Sequence, residues 1–232
     1  MSKILIIIPT YNERKNIQFL ITKIGNNIKN YDLLFVDDNS PDGTGKIIKK
    51  FIKKRKNIFL FVRKKKLGIG SAHKYGLSWG FKNGYEKIIT MDGDGTHDPK
   101  YIKKLLKKSH NSHIVVTNRF LKKDSLNDWS IIRILITNLR HLLIKNLLNF
   151  PYDASGAFRC YNTSKISIRD INLAKDNSYS FFWESLFIFY KKKFIIKEIA
   201  VNLPGRLAGT SKMKFTDIFN AFFYLVKVYL KN

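Results

Sequence analysis

Hydrophobic positions fall in short bounded runs through the first half of this chain and in longer, helically spaced stretches through the second. Residues 4–8 form a continuous apolar run, rich in β-branched side chains and closed by Pro9, which predicts a buried parallel strand ending at the proline. Thr10-Tyr11-Asn12-Glu13 then leads into a helix with Ile17, Leu20, Ile21 and Ile24 on one face. The alternation repeats. A strand over 33–36 is closed by Asp37-Asp38-Asn39-Ser40-Pro41-Asp42-Gly43-Thr44, and the next helix carries Ile47, Ile48, Phe51 and Ile52. Further strands are expected over 58–62, 88–91 and 114–117, with helices from Leu67-Gly68-Ile69-Gly70-Ser71-Ala72 to about residue 81 and around 102–106. Strands alternating with helices at this spacing predict an α/β, doubly wound sheet covered on both faces. Past residue 120 the rhythm changes to a long apolar-rich helix over 129–150, an aromatic one over 181–190, a strand over 195–201 and an apolar helix over 215–230.

With 232 residues and no linker or repeat, one domain with a C-terminal elaboration is the expectation. Apolar content of 44% excludes wholesale disorder, and the single cysteine, Cys160, excludes a disulfide framework or a cysteine-cluster metal site. The start, Met1-Ser2-Lys3, reaches only the apolar run 4–8 before Pro9, too short for a signal-peptide core. No run of about 18 uncharged apolar residues exists, so no membrane span is predicted. The stretch 130–150 comes closest and is interrupted by Arg133, Arg140, His141 and Lys145. A formal charge of +26 fits nucleic acid, an anionic membrane surface or phosphorylated substrates. It fits compositional drift equally, with lysine runs such as Arg63-Lys64-Lys65-Lys66 as solvated faces.

Chemistry concentrates at Asp92-Gly93-Asp94-Gly95-Thr96-His97, just past the strand over 88–91. Open α/β sheets bind ligands at that end. In an extended segment Asp92 and Asp94 would point the same way, two hard oxygen donors suited to Mg²⁺ or Mn²⁺ bridging a diphosphate. The bland alternative is a turn of solvated carboxylates. A Ca²⁺ loop of the EF-hand type fails, because His97 stands where glycine is needed and Lys103 where a bidentate glutamate is needed. No phosphate loop of the G-x-x-x-x-G-K type occurs, and His73 breaks a dinucleotide fingerprint at Gly68-Ile69-Gly70, which reads as a plain turn and helix start. Glu13, Asp38, Asp92 and Asp94 would line one crevice, suited to a nucleotide and a metal.

Pro9-Thr10-Tyr11-Asn12-Glu13, Asp37-Asp38-Asn39-Ser40-Pro41-Asp42-Gly43-Thr44, Leu67-Gly68-Ile69-Gly70-Ser71-Ala72 and Met91-Asp92-Gly93-Asp94 occur in the order seen in inverting glycosyltransferases of the GT-A fold. With Asn118-Arg119-Phe120, Trp129, Arg133, Asp153-Ala154-Ser155-Gly156-Ala157-Phe158-Arg159 and the stretch from Arg206 to Gly209-Thr210-Ser211-Lys212, nearly the whole chain resembles dolichol-phosphate (polyprenyl-phosphate) mannosyltransferases. The resemblance implies a mixed, mostly parallel sheet with C-terminal interfacial helices. It implies a nucleotide-sugar-binding half over 1–120 and an acceptor-binding, membrane-facing half over 121–232. By position, Pro9, Tyr11, Glu13, Val36 and Asp38 would hold the nucleotide. Asp92, Asp94 and Thr96 would hold the Mg²⁺ or Mn²⁺ and diphosphate, with Gly93 giving backbone contact. Arg206 and Lys212, on a mobile loop, would contact the donor phosphates, and Arg119, Arg133 and Thr137 would cradle the acceptor phosphate. Asp94, Arg119 and Arg133 would carry the catalysis. Gly93 stands where alanine is usual and Thr96 where glutamine or serine is, which leaves the third metal ligand open. His97 is an alternative, though a histidine in a polar turn reads first as a surface residue.

Arg133 and Thr137, spaced i and i+4, share a helix face, and a guanidinium forks onto phosphate as lysine cannot. A phosphate acceptor is largely anionic near neutral pH and needs no strong base, consistent with the lack of the carboxyl pair a glycoside hydrolase uses. The expectation is therefore metal-dependent, inverting transfer of mannose from GDP-mannose to dolichyl or polyprenyl phosphate at the cytoplasmic face of a membrane. The enzyme would be peripheral, free-standing or tethered by a membrane-anchoring subunit. UDP-glucose or another nucleotide sugar is the alternative donor. A nucleic-acid-binding protein is the alternative of a different class, and carboxylates at Asp38, Asp92 and Asp94 speak against it.

Overall fold

The computed structural model describes residues 3–210 and 212–231. Seven strands form one sheet in the order β3-β2-β1-β4-β6-β5-β7. They are β1 (Ile4–Thr10), β2 (Tyr31–Asp37), β3 (Ile58–Val62), β4 (Lys87–Thr90), β5 (Ile114–Asn118), β6 (Arg159–Asn162) and β7 (Ile196–Ala200). The helices are α1 (Arg14–Asn27), α2 (Thr44–Ile52), α3 (Ile69–Lys82), α4 (Ile102–Ser109), α5 (Ile131–Leu148), α6 (Ile168–Asn172), α7 (Ser180–Lys191) and α8 (Phe215–Tyr229). β1 to β4 are mutually parallel, β5 is parallel to β7, and β6 runs antiparallel to both neighbours.

Strand periodicity of two splits the core into two layers. Leu5, Ile7, Leu34, Val36 and Ile88 face α3, α5, α7 and α8, while Ile6, Ile8, Leu33, Phe35 and Ile89 face α1, α2 and α4. Helix α3 lies close to the sheet because it carries glycine at the contact: a Cβ on Gly76 would come within 2.5 Å of Ile7. The chain crosses from β1 to β2 on one side and from β3 to β4 on the other, so the reversal falls at the carboxyl ends of β1 and β4. The acidic loops after β1, β2 and β4 therefore converge.

Two expectations are corrected here. Pro9 does not end the first strand; β1 continues through it to Thr10, with Pro9 registered against Val36. The Ile7 carbonyl accepts from Met91 on the β4 side and the Thr10 carbonyl from Asp38 on the β2 side. The alternation turns the proline nitrogen toward β4, beyond the Ile7–Thr90 end of that ladder, where no donor is needed. The second correction is β6, a strand absent from the hydropathy pattern because it reads Arg-Cys-Tyr-Asn. Arg159 is fully buried and donates to the carbonyls of Gly156, Ala154 and Phe182 and to Ser185, so the protein itself solvates its charge.

Candidate active site

The loops after β1 and β2 are stitched together before any ligand is considered. Thr10 and Ser40 donate to the Asp37 carboxylate, and Ser40 in turn accepts from the Asn12 amide. Asp42 accepts from the Arg14 amide and the Thr44 hydroxyl, whose oxygen accepts from the Glu13 amide. Asp37 and Asp42 thus serve the scaffold, and Asp38 is left facing the cleft. Arg63 holds Asp38 by a two-pronged pair and also donates to Ser71 and the Gly68 carbonyl. Arg63 is 6% exposed, so the reading of its run as a solvated face fails at its first residue. Gly68 has φ +94°, and a Cβ there would collide with the Asn177 carbonyl at 2.3 Å. The glycine motif is thus a buried support for Arg63, more than a plain turn.

An acid-lined cleft of about 120 Å³ results, walled by Pro9, Tyr11, Glu13, Asp38, Asp92, Gly93, Asp94, Tyr179, Arg206 and Lys212. The four acids expected in one crevice are all there. Val36 is not: its side chain is fully buried in the core. Glu13 accepts from Asn16 at 2.6 Å and lies 3.8 Å from Lys212 Nζ. Burial raises its carboxyl to about pH 6, against the opposing pull of Asn16 and Lys212.

After β4 the backbone turns at once, so Asp92 and Asp94 do not alternate along an extended segment as expected. Gly95, at φ +83°, folds the turn back, and Asp94 accepts from the Thr96 amide at 3.0 Å and its hydroxyl at 2.7 Å. The other Asp94 oxygen lies 3.2 Å from Arg206. Burial pushes Asp94 up, but Arg206, His97 and the Thr96 hydrogen bonds together outweigh it and hold the carboxyl below the usual range. Among the described residues Asp92 has no arginine so close; burial, helped by repulsion from Asp94, raises it, although His97 Nε2 lies 3.7 Å from its carboxylate and pulls it down. His97 is no surface residue: it is 4% exposed, stacks on Phe158 and accepts the Asp92 amide on Nδ1 at 2.8 Å. With Nδ1 so used, it props the turn.

Two neighbouring carboxylates, one strained by the other, suit a small divalent cation. Mg²⁺ commonly takes one or two carboxylates and fills its remaining positions with water and phosphate oxygens. Among the described residues no group of three or more acids, histidines or cysteines could make an all-protein cage. The donor set therefore fits an ion shared with a phosphorylated ligand.

Asp92, Asp94, Arg206 and Tyr179 also wall a second cavity of about 420 Å³. Arg119, Trp129, Arg133, Thr137 and Arg140 line its far side, together with Thr96 and His97. Arg119 Nε donates to Asp153 at 2.7 Å, and Arg133 stacks on Trp129 with its guanidinium carbon 3.4 Å from the ring centre. Ser130 caps α5 and turns Arg133 and Thr137 inward. Beyond Arg140 this cavity meets an apolar groove of about 270 Å³ between α5 and α8, walled by Leu139, Leu143, Ile218, Phe219 and Phe222.

The stretch from Arg206 to Lys212 folds over the acid-lined cleft. Its Leu207 amide donates to the Asp94 carbonyl and its Ala208 carbonyl accepts from Asn16; Ser211 lies outside the described residues. Sequence reasoning overlooked Arg63, Arg140, Asp153 and Tyr179. Of these, only Asp153 stood inside a recognised motif.

A family model described as Glycosyl transferase family 2 matches residues 5–219. The chain is 27% identical over 222 residues to a polyprenol monophosphomannose synthase of Mycolicibacterium smegmatis, covering 94% of this chain and 84% of the relative. It is 27% identical over 212 residues to an undecaprenyl-phosphate mannosyltransferase of Micrococcus luteus, covering 91% and 87%. The structure superposes on glucosyl-3-phosphoglycerate synthase from Mycobacterium tuberculosis with a TM-score of 0.65 at 14% identity, over 99% of this chain and 79% of that one, a likeness of fold. The family match runs through the whole sheet and both cavities, and the chain belongs to glycosyl transferase family 2: it is a glycosyltransferase.

Proposed function

We propose that this glycosyltransferase moves mannose from GDP-mannose to a dolichyl or other polyprenyl phosphate at a membrane surface, inverting the anomeric carbon. One observation carries the reading. The acid-lined cleft, sized for part of a nucleotide sugar, touches at Asp92 and Asp94 a cavity walled by arginines, and that cavity leads into an apolar groove. A nucleoside diphosphate, a phosphate and an apolar chain would lie in that order. The names of the two relatives supply the sugar and the acceptor class.

In this reading Glu13 and Asp38 bind the nucleoside, and Pro9, Tyr11 and the backbone near Val36 and Gly93 frame it. Asp92 and Asp94, with Thr96 beside them, would hold Mg²⁺ or Mn²⁺, which when bound neutralises the departing diphosphate. Arg206 and Lys212 exchange Asp94 and Glu13 for donor phosphates. Arg119, Arg133 and Thr137 orient the acceptor phosphate for in-line attack, and its own charge makes a general base unnecessary. An α-linked donor then gives a β-linked product.

The exposed faces of α5 and α8 support the membrane location. Ile131, Ile132 and Leu135 on one and Phe215, Phe219 and Phe223 on the other are all more than 60% exposed. Among the described residues no helix is long and apolar enough to cross a membrane. Aromatic and aliphatic faces beside lysine-rich surface fit an interfacial position. Incubation with Mg²⁺, farnesyl phosphate and a panel of radiolabelled nucleotide sugars should give lipid-linked label from GDP-mannose. Label from UDP-glucose instead would reassign the donor, and none from any donor would overturn the reading. Vesicle binding should require anionic lipid and weaken with salt, at about 1 kcal/mol per engaged basic side chain. Equal partition onto neutral vesicles would remove the electrostatic part.

A further inference from the structure

The arginine-walled cavity holds one arginine, Arg140, that neither the proposed donor contacts nor the proposed acceptor cradle uses. Of its four arginines, Arg119 is matched by Asp153, which is 1% exposed, and Arg206 by Asp94. Among the described residues Arg133 and Arg140 form no ion pair. Arg133 at least has the face of Trp129. Arg140 is worse served: its Nε is sealed from solvent and finds no hydrogen-bond partner among the described residues. Burial and then the nearby Arg119 pull its guanidinium down to about pH 10, so the site as it stands disfavours the charge it contains. A half-buried cation with a sealed, unpartnered Nε is costly to keep in a fold unless an anion completes it.

Position narrows what that anion is. Arg133, Thr137 and Arg140 are spaced i, i+4 and i+7, on one face of α5, so two long side chains reach toward a group held over the threonine between them. Arg140 also lines both the cavity and the apolar groove, where Arg133 lines the cavity alone. It stands at the passage from one to the other. A phosphate monoester carries a charge of about −1.5 to −2 near neutral pH, which two uncompensated guanidinium groups match, whereas a phosphodiester carries one charge less.

We infer that Arg140 binds the acceptor's phosphate from the side of its apolar chain, and that Arg133 and Arg140 together select a dianionic phosphomonoester over a monoanionic diester. This deepens the proposed function and rests on it. Transfer converts the monoester into a diester, so the same pair that holds the acceptor loosens its hold once the new bond has formed.

The test uses the full-length protein with farnesyl phosphate and its methyl diester as probes. In Arg140→Gln the KM for farnesyl phosphate should rise about tenfold or more, while GDP-mannose affinity by calorimetry stays within about twofold. Arg140→Lys should recover part of the loss, and the preference for monoester over diester should fall in step with the charge removed. Because the unliganded cation is unpaired, Arg140→Met should melt at or above the wild-type temperature. Farnesyl phosphate should raise the wild-type melting temperature more than that of Arg140→Met. An unchanged KM in Arg140→Gln, beside a wild type that transfers mannose normally, would overturn the inference alone. So would a lower melting temperature with donor and acceptor affinity falling together, which would make Arg140 structural. A wild type that transfers to no prenyl phosphate would overturn this inference and the proposed function with it.

Discussion

In the acid-lined cleft each basic side chain on the wall is held by a carboxylate: Arg206 by Asp94 at 3.2 Å and Lys212 by Glu13 at 3.8 Å. Across the Asp92–Asp94 turn, the second cavity leaves Arg133 and Arg140 without an ion pair among the described residues. The two spaces share a wall and manage charge in opposite ways. The cleft's cations are neutralised from within, so an anionic ligand there must displace ion pairs that already exist. Its affinity is a difference between two sets of contacts. At Arg133 and Arg140 the cavity has no ion pair to displace, and an anion reaching them gains the full interaction less desolvation. This contrast suits an ordered reaction in which the donor opens the Arg206–Lys212 cover.

The contrast breaks most severely at Asp94. Asp94→Ala should lower kcat/KM by about 10³-fold or more, since the proposed cation site and the Arg206 pair would be lost together. EDTA should inactivate the wild type similarly and Mg²⁺ or Mn²⁺ restore it; full activity in EDTA would leave the turn as scaffold. Next comes Asp38→Asn, which strands Arg63 as a buried charge. It should cost about 3–5 kcal/mol in urea unfolding, and a change near zero would mean that Ser71 and Gly68 suffice for Arg63.

Arg133→Lys keeps the charge of the open cavity but not the fork or the stacking on Trp129. It should cost about 1.5–3 kcal/mol, seen as a ten- to hundredfold rise in KM for the prenyl phosphate. Donor affinity should hardly change; if it falls equally, Arg133 belongs to the diphosphate site. The smallest effect is a pH dependence. Glu13 titrates near 6 in the fold against 4.5 when unperturbed. Its raised pKa means that the folded state favours the protonated form. The stability this confers is full below pH 4.5 and is lost as pH rises through 6. Above that range Glu13→Gln should therefore be more stable than the unliganded wild type by about 2 kcal/mol. Parallel stability curves from pH 4 to 7 would show that Lys212 fully compensates the burial.

Much of this was legible in the chain because strands buried on both faces write themselves as apolar runs. The runs over 4–8, 33–36, 58–62, 88–91 and 114–117 all fell on strands. β6 escaped because its buried arginine is satisfied by carbonyls contributed from residues 154, 156 and 182, a solvation that no local pattern records. The same reason hid Arg63. A basic run looks solvated until a distant acid, here Asp38, claims one member. The family's motifs brought Glu13, Asp38, Asp92 and Asp94 to one cleft and Arg119, Arg133 and Thr137 to one cavity. Arg140 escaped because what sets it apart is an unpartnered Nε among the described residues, which no local pattern records.

The antiparallel strand β6 has a consequence for how the chain is made. β4 and β5 both pair with β6 and not with each other, so neither has that neighbour until residues 159–162 have been synthesised. Thr90 waits for Arg159, and at about 5–20 residues per second the edge Lys87-Ile88-Ile89-Thr90 stands open for about 3–14 s on a ribosome. An unpaired edge of that composition is a template for pairing with another nascent chain. Heterologous yield should therefore hinge on chaperone occupancy during this interval, and expression of residues 1–150 alone should give inclusion bodies in place of a soluble nucleotide-binding half.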